Sequence, residues 1–510
     1  MVSTPNRGLK GWLKKYHKWI SILCTLFILL FSFTGIVMNH RETFGGIDVN
    51  RNYLPDNYGY ENWNLAAIKG GLRLDSARVA LFGNIGVWLA DSNLMCFEDF
   101  NSGFPPGIDN RKISSLAINA KGELFAGTLF GLYQRTRNSD GWESIDLPTK
   151  ESRIVKVLQL EDKLLVMTRS ELFQRDEGSL NFHPIKIPSV QGQDPTTSLF
   201  RYTWVLHSGE LFGLPGKLLV DVVGVVFILL SISGLIFFVG SGLIKHLCAS
   251  MKKNWAKVMG FSLRWHNRLG TWMFGFLIAT TLTGMFLRPP LLISIADIQF
   301  VNKSSSGHPV WDDKLRDILY DDDLKGFILA TSDGLFYADE KFSSELQLFT
   351  NQPPISVMGI TVLEKMGDGH YLIGSFSGLF DWFPTQGLVL DRMTGLPSDP
   401  GLSNGKPIGN VAVTGYYERQ PGSFIVFDYG KGALQSRSGL MAAMPNEIKS
   451  KSPMSLWNLC LEIHTARIWE PFIGGFYILM IPLAGVFILF ILVSGLWLWF
   501  LKRKRNKVIF

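Results

Sequence analysis

Four stretches of this chain, near Trp19–Met38, Leu218–Leu243, Leu269–Leu287 and Phe472–Leu501, are apolar over nearly their whole length. Each approaches or exceeds the roughly 20 residues that carry a helix across about 30 Å of hydrocarbon. In that solvent the backbone must satisfy its own polar groups, so each stretch is expected to be helical. Hydrophobic residues make up 47% of the chain and charged residues 18%, which excludes both an ordinary soluble enzyme and a disordered chain. The first stretch has the basic flank of a signal peptide, but it is too long and no small-residue cleavage site follows. It reads as a retained anchor.

The formal charge of +7 suggests nucleic-acid binding only until the basic residues are located. Residues 1–18 carry five Lys or Arg, 245–268 carry six and 502–507 carry five, all without Asp or Glu; the rest of the chain has 34 basic against 43 acidic residues. Positive charge concentrated beside apolar spans marks the cytoplasmic side, and no nucleic-acid surface is left. The expected order is a basic cytoplasmic N-terminus (1–18), spans at 19–40, 207–244, 266–288 and 464–501, a basic cytoplasmic loop (245–265) and a basic tail (502–510). Two large outer domains, 41–206 and 289–463, then face the periplasm. Cys24, Cys96, Cys248 and Cys460 are scattered, with no CxxC, no CxxCH and no disulfide framework.

The two halves repeat each other. His17 stands 18 residues before Gly35 of Thr34-Gly35, and His266 stands 18 before Gly284 of Thr283-Gly284. Ser233-Gly234 matches Ser494-Gly495, and SLFRYTWVLH ending at His207 matches SLWNLCLEIH ending at His464. Coincident spacings at four places indicate a helix–outer domain–helix unit used twice.

Within the outer segments a phrase recurs around Gly131-Leu132-Tyr133, Leu172-Phe173, Gly334-Leu335-Phe336 and Gly378-Leu379-Phe380. Its period, 40 residues from Leu132 to Leu172 and 44 from Leu335 to Leu379, suits propeller blades of four strands. Weaker candidates near 75–100 and 408–437 bring the number to three per half. One closed ring, two separate modules and generic β-sandwiches all remain open. The expected fold class is therefore a four-helix transmembrane bundle with all-β, β-propeller-like periplasmic domains.

Six of the nine histidines, His17, His40, His207, His246, His266 and His464, lie at or near span ends. Metal-ligating groups at membrane depth are functional candidates by default, and two neutral imidazoles make a six-coordinate haem iron suited to electron transfer. His17 and His266 are equivalent at the inner ends of the odd spans, and His207 and His464 at the outer ends of the even ones. Each pair could face one iron near a pseudo-two-fold axis, giving two b haems in a four-helix bundle. His40 has Pro289 as its counterpart and is a further candidate ligand or a neighbour of the outer haem; His246 is an alternative inner one. Gly35, Gly234, Gly284 and Gly495 could admit a flat macrocycle or serve close helix packing. Arg41 and Arg288 could pair with propionates or snorkel to the interface. Asp221, opposite Pro482 in the repeat, could relay protons or serve as a hydrated cap.

HKWISILCTLFILLFSFTG, RWHNRLGTWMFGFLIATTLTG, LHSGELFG and GVFILFILVSGLWLW resemble the helices of the PepSY-associated transmembrane family, which includes bacterial inner-membrane ferric-siderophore reductases. The resemblance covers the four helices and their flanks. It implies haem held by His17, His207, His266 and His464, and electron transfer from the cytoplasmic side to ferric iron in the periplasm. No PepSY module is recognisable in either outer segment; blade-like repeats take its place.

These readings converge on a di-haem b oxidoreductase of the bacterial inner membrane that reduces a ferric chelate or another periplasmic acceptor. No GxGxxG follows a strand, and no inner domain is large enough for flavin or nicotinamide. The donor is then expected to be separate: a quinol, a reductase or a soluble reductant. The competing expectations are a non-enzymatic receptor or transport accessory protein that binds a periplasmic ligand, and a quinol-linked cytochrome b.

Overall fold

The structure is a computed structural model and describes residues 7–190, 196–296, 298–301, 311–356, 359–398 and 409–507. The chain divides into two units: one takes in residues 1–44, 196–302 and 456–510, the other 45–195 and 303–455. The first holds the long helices and the second nearly all the sheet.

In the helical unit α1 runs Arg7–Asn39, α2 Leu199–Ser208, α3 Gly213–Leu243, α4 Ala249–Trp272, α5 Phe274–Phe286, α6 Leu456–His464 and α7 Tyr477–Lys507. Helices α1, α3 and α7 are each long and apolar enough to cross a membrane, and α4 with α5 makes a fourth candidate, bent by 67°. Cys24 and Ile28 of α1, Val223 and Phe227 of α3, Leu277 of α5 and Leu492 of α7 share one core cluster. This is a membrane helical region with a β-rich partner unit, as the hydropathy and turn patterns require.

Three boundaries differ from the sequence expectation. The basic segment 245–265 is largely helical, because nothing in it breaks a helix before Trp272. The span expected at 266–288 is divided at Met273, between Gly270 and Gly275, where missing side chains favour a kink. The expected bounds 207 and 464 fall at the ends of separate short helices, Leu199–Ser208 and Leu456–His464, that precede the long ones. Helix α2 is capped by Ser198, whose side chain accepts from the Arg201 N–H, and stops at Gly209 in the left-handed region. Helix α6 is followed by Ala466, also at positive φ. Residues 1–6 and 508–510 of the basic termini lie outside the described residues.

The second unit contains, among the described residues, six antiparallel meanders: 70–99, 113–145, 154–185, 315–348, 360–391 and 413–435, the first five of four strands and the last of three. The recurring sequence phrase is the hairpin between second and third strands. Thr128 pairs with Gly131, Thr331 with Gly334 and Ser375 with Gly378. In the first two the Thr hydroxyl donates to the glycine carbonyl, at 2.9 and 3.1 Å.

Period-two alternation sends successive side chains to opposite faces of each sheet, and here both faces are covered. Phe327 and Leu329 join Leu172 and Leu315 in the core between the third and fourth sheets, while Ile328 and Ala330 join Leu363 and Ile373 between the fourth and fifth. That explains the unbroken apolar run FILA. Further cores lie between the first and second, second and third, and fifth and sixth sheets. The sixth then packs on the first, with Tyr417 and Phe427 against Leu81 and Trp88. The six sheets thus follow one another in cyclic, propeller-like order, and the two outer segments of the sequence fold as one unit. Its two chain ends meet where Asp48 pairs with Ser455 and Val49 with Met454.

Candidate functional site

Each of the four paired histidines is held through Nδ1 by a hydroxyl that precedes a helical glycine. His17 Nδ1 lies 2.9 Å from Ser494 Oγ, and His266 Nδ1 lies 2.9 Å from Ser233 Oγ. His464 Nδ1 lies 3.0 Å from Thr34 Oγ1, and His207 Nδ1 lies 3.0 Å from Thr283 Oγ1. Every one of these contacts crosses between the two sequence repeats: a histidine of one half rests on a hydroxyl of the other.

The proton positions follow from the partners. Thr34 donates its hydroxyl proton to Leu30 O at 2.6 Å, Thr283 to Ala279 O at 2.8 Å, Ser233 to Leu230 O at 3.0 Å and Ser494 to Ile491 O at 3.1 Å. With its one proton placed on that carbonyl, each hydroxyl accepts from its imidazole. His207 and His266 also point Nδ1 at the carbonyls of Thr280 and Leu230, both 3.1 Å away, and carbonyls accept only. All four rings are thereby assigned Nδ1–H, which leaves Nε2 with a bare lone pair.

The glycines seat the rings. A Cβ at Gly284 would stand 2.9 Å from His207 Cε1, one at Gly495 3.0 Å from His17 Cε1, and one at Gly35 3.2 Å from His464 Cε1. At Gly234 the distance to His266 Cε1 would be an ordinary 3.8 Å. What these positions admit, in this structure, is an imidazole edge.

One of the two expected pairs comes into ring contact. His207 and His464 have ring centres 6.4 Å apart. Two imidazoles on opposite sides of one metal, with metal–nitrogen bonds of about 2.0–2.1 Å, place their centres about 6 Å apart. Among the described residues no group of three or more His, Cys, Asp or Glu is arranged to hold a metal ion. A donor set of paired imidazoles would suit a haem iron rather than an all-protein metal cage.

His40 is held differently. Its Nε2 lies 2.7 Å from Asp221 Oδ2, and Asn39 Nδ2 donates to Asp221 Oδ1 at 3.1 Å. The nitrogen that the other four leave bare is here engaged with a carboxylate. Asp221 and His40, separate candidates in the sequence, form one site. His246 is exposed just beyond α3. Arg288 donates to Thr465 O, the residue after His464, at 3.2 Å, and the Arg41 guanidinium lies 3.7 Å from the Trp457 ring centre. The four hydroxyls are the residues whose role sequence reasoning missed. Their signal, Thr-Gly and Ser-Gly at matched positions, was visible, but which ring each would meet was not.

The family described as the PepSY-associated TM region matches residues 2–241. No curated protein matches the chain. Among solved structures, the extracellular domain of a hybrid two-component system from B. thetaiotaomicron is similar at 12% identity and a TM-score of 0.37, over 72% of this chain and 32% of that one. The computationally designed protein Ika8 matches at 9% identity and a TM-score of 0.32, over 74% and 96%. PorZ, a surface component of the type-IX secretion system of Porphyromonas gingivalis, matches at 9% and 0.23, over 74% and 40%.

Proposed function

We propose, from the match of residues 2–241 to the PepSY-associated TM region family and from the four histidine docks, that this chain carries electrons across a bacterial inner membrane to a ferric chelate on the outer side. His17 with His266, and His207 with His464, are the residues that would each hold one b haem through Nε2. When bound, such a group supplies reversible one-electron chemistry. The chain's own part is orientation. Each Nδ1–H is anchored, so each ring is fixed in the tautomer that binds iron, and a hydrogen-bonded imidazole is a more basic ligand. The observation that carries this reading is the Nδ1–hydroxyl contact repeated at all four docks, because interfacial anchoring of a histidine does not require one ring orientation four times.

A ferric chelate suits the acceptor role because one electron lowers the charge of iron and weakens its hold on hard oxygen donors. The donor is a separate quinol, reductase or soluble reductant, and both termini and the basic segments lie on the cytoplasmic side.

The test is a pyridine-haemochrome and reduced-minus-oxidised spectrum of the detergent-purified chain, expressed with ample haem. About two b haems per chain are expected, one lost on substituting His207 and His464 by Ala and the other on substituting His17 and His266. Reoxidation of the reduced protein by a ferric chelate then tests the acceptor. A haem-free protein would overturn the reading and favour a receptor or transport accessory protein.

A further inference from the structure

Helix α4 presents three faces of different chemistry. Trp255, Met259, Ser262 and His266 recur at steps of four, three and four residues, which places them on one side. That side faces the bundle: Trp255 and Met259 pack at Gly240 of α3, the Ser262 hydroxyl donates to Ser233 O at 3.1 Å, and His266 docks on Ser233. Met251, Val258, Phe261, Trp265 and Trp272 recur at seven, three, four and seven and form a second stripe. All are exposed, Phe261 by 58% and Trp272 by 70%. Lys253, Lys257, Arg264 and Arg268, at steps of four, seven and four, form a third stripe beside it, and all four are exposed. No Asp or Glu occurs anywhere between Asp221 and Asp297, so this part of the chain supplies no neutralising partner.

A basic row flanked by polar residues would be an ordinary solvated face. Here it borders an exposed apolar stripe containing two tryptophans, and the helix turns by 67° from the apolar α5 that follows. A helix with one apolar and one Lys/Arg face lies in the plane of a membrane interface, its apolar side among acyl chains and its basic side at headgroup level. We propose that the Lys253, Lys257, Arg264 and Arg268 face of α4 is a binding surface for anionic phospholipid headgroups. The occupant follows from charge complementarity along a row of about 20 Å, matched to a layer of phosphates. The same helix carries His266 on its inward face. The inference does not depend on haem.

The experiment titrates the purified full-length chain with phosphatidylglycerol and, separately, phosphatidylcholine, counting bound lipids by native mass spectrometry. The unsubstituted chain should prefer phosphatidylglycerol, and the preference should fall with salt. The Lys253→Gln, Lys257→Gln, Arg264→Gln triple variant should lose about a hundredfold of it, at roughly fivefold per charge. Lys253→Arg with Lys257→Arg should keep it. Equal binding of the two lipids, a salt-independent preference, an unchanged preference in a folded triple variant, or full displacement by millimolar inorganic phosphate would each overturn the proposal. Should the triple variant not fold, the salt titration on the unsubstituted chain decides.

Discussion

In the helical unit Gly284 is required because a Cβ would stand 2.9 Å from His207 Cε1, whereas in the sheet unit Gly131 has nothing within 4 Å and is required for its φ of +142°. Both residues belong to motifs that the sequence repeats, yet one repeat preserves space for a functional ring and the other preserves a turn. The polar groups separate the two units in the same way. The duplicated helices keep a histidine, a hydroxyl and a glycine at every matched position and exchange them between halves. The sheets repeat only their hairpins and apolar alternation; Asp321, which accepts from Lys365 and Tyr371 across the fourth and fifth sheets, is one pin in one place. A motif conserved between halves as a set of unlike residues reports chemistry, and one conserved only as shape reports packing.

The largest expected effect tests that division at its steepest. Gly284→Val drives two methyl groups into the His207 seat and should remove one of the two proposed haems, as His207→Ala would, with hydrogen-exchange protection of the sheet strands unchanged. Haem content equal to that of the unsubstituted chain would show that the glycine serves helix packing alone.

Next comes the hydroxyl. Thr34→Ala leaves the His464 ring without its acceptor and should weaken haem retention at the outer pair by about 10–100-fold, with a shifted midpoint potential. Thr34→Ser should restore both. An unchanged potential in Thr34→Ala would reduce the dock to a packing contact.

In the sheet unit the comparable polar change acts on stability alone. The Asp321 side chain is fully buried. Burial by itself would raise its pKa, but the Tyr371 hydroxyl, the Lys365 ammonium and the backbone N–H groups of Asp323 and Leu324 outweigh it and hold the carboxyl below its ordinary value. A depressed carboxylate contributes stability that is complete above its unfolded-state pKa and is lost as pH falls through the folded-state one. Asp321→Asn should therefore lower sheet stability by about 1–3 kcal/mol near neutral pH and flatten the acid limb of a thermal-melt series, leaving haem content untouched.

How far the sequence anticipated these differences depends on how far apart the partners lie. The apolar runs and the hairpin phrase are local, and they mark helices and hairpins. The break at Met273 was hidden because hydropathy runs on across it, through Trp272 and Phe274. The docks were half visible: Thr34-Gly35 and Ser494-Gly495 stood out by spacing, but their partners, His464 and His17, are 430 and 477 residues away. Closure of the sheets was hidden for the same reason, since Leu81 and Phe427, which share one core, lie far apart in the sequence. His40 and Asp221 looked like unrelated exceptions to the duplication until the fold brought them together.

Smaller effects separate the two kinds of glycine by sign. Gly131→Ala meets no atom, so its penalty is conformational, about 1 kcal/mol of sheet stability, with haem unaffected. Gly234 is the informative exception among the docks. Its Cβ would sit 3.8 Å from His266 Cε1, in ordinary contact, and its backbone is helical, where alanine is favoured over glycine by about 0.8–1.0 kcal/mol. Gly234→Ala should therefore keep both haems and hold or raise the melting temperature of the helical unit. Had glycine been kept at all four docks to admit a macrocycle, Gly234→Ala would cost haem as Gly284→Val does. Measuring haem per chain in these two variants side by side decides whether the seat is shaped for the imidazole or for the larger ring.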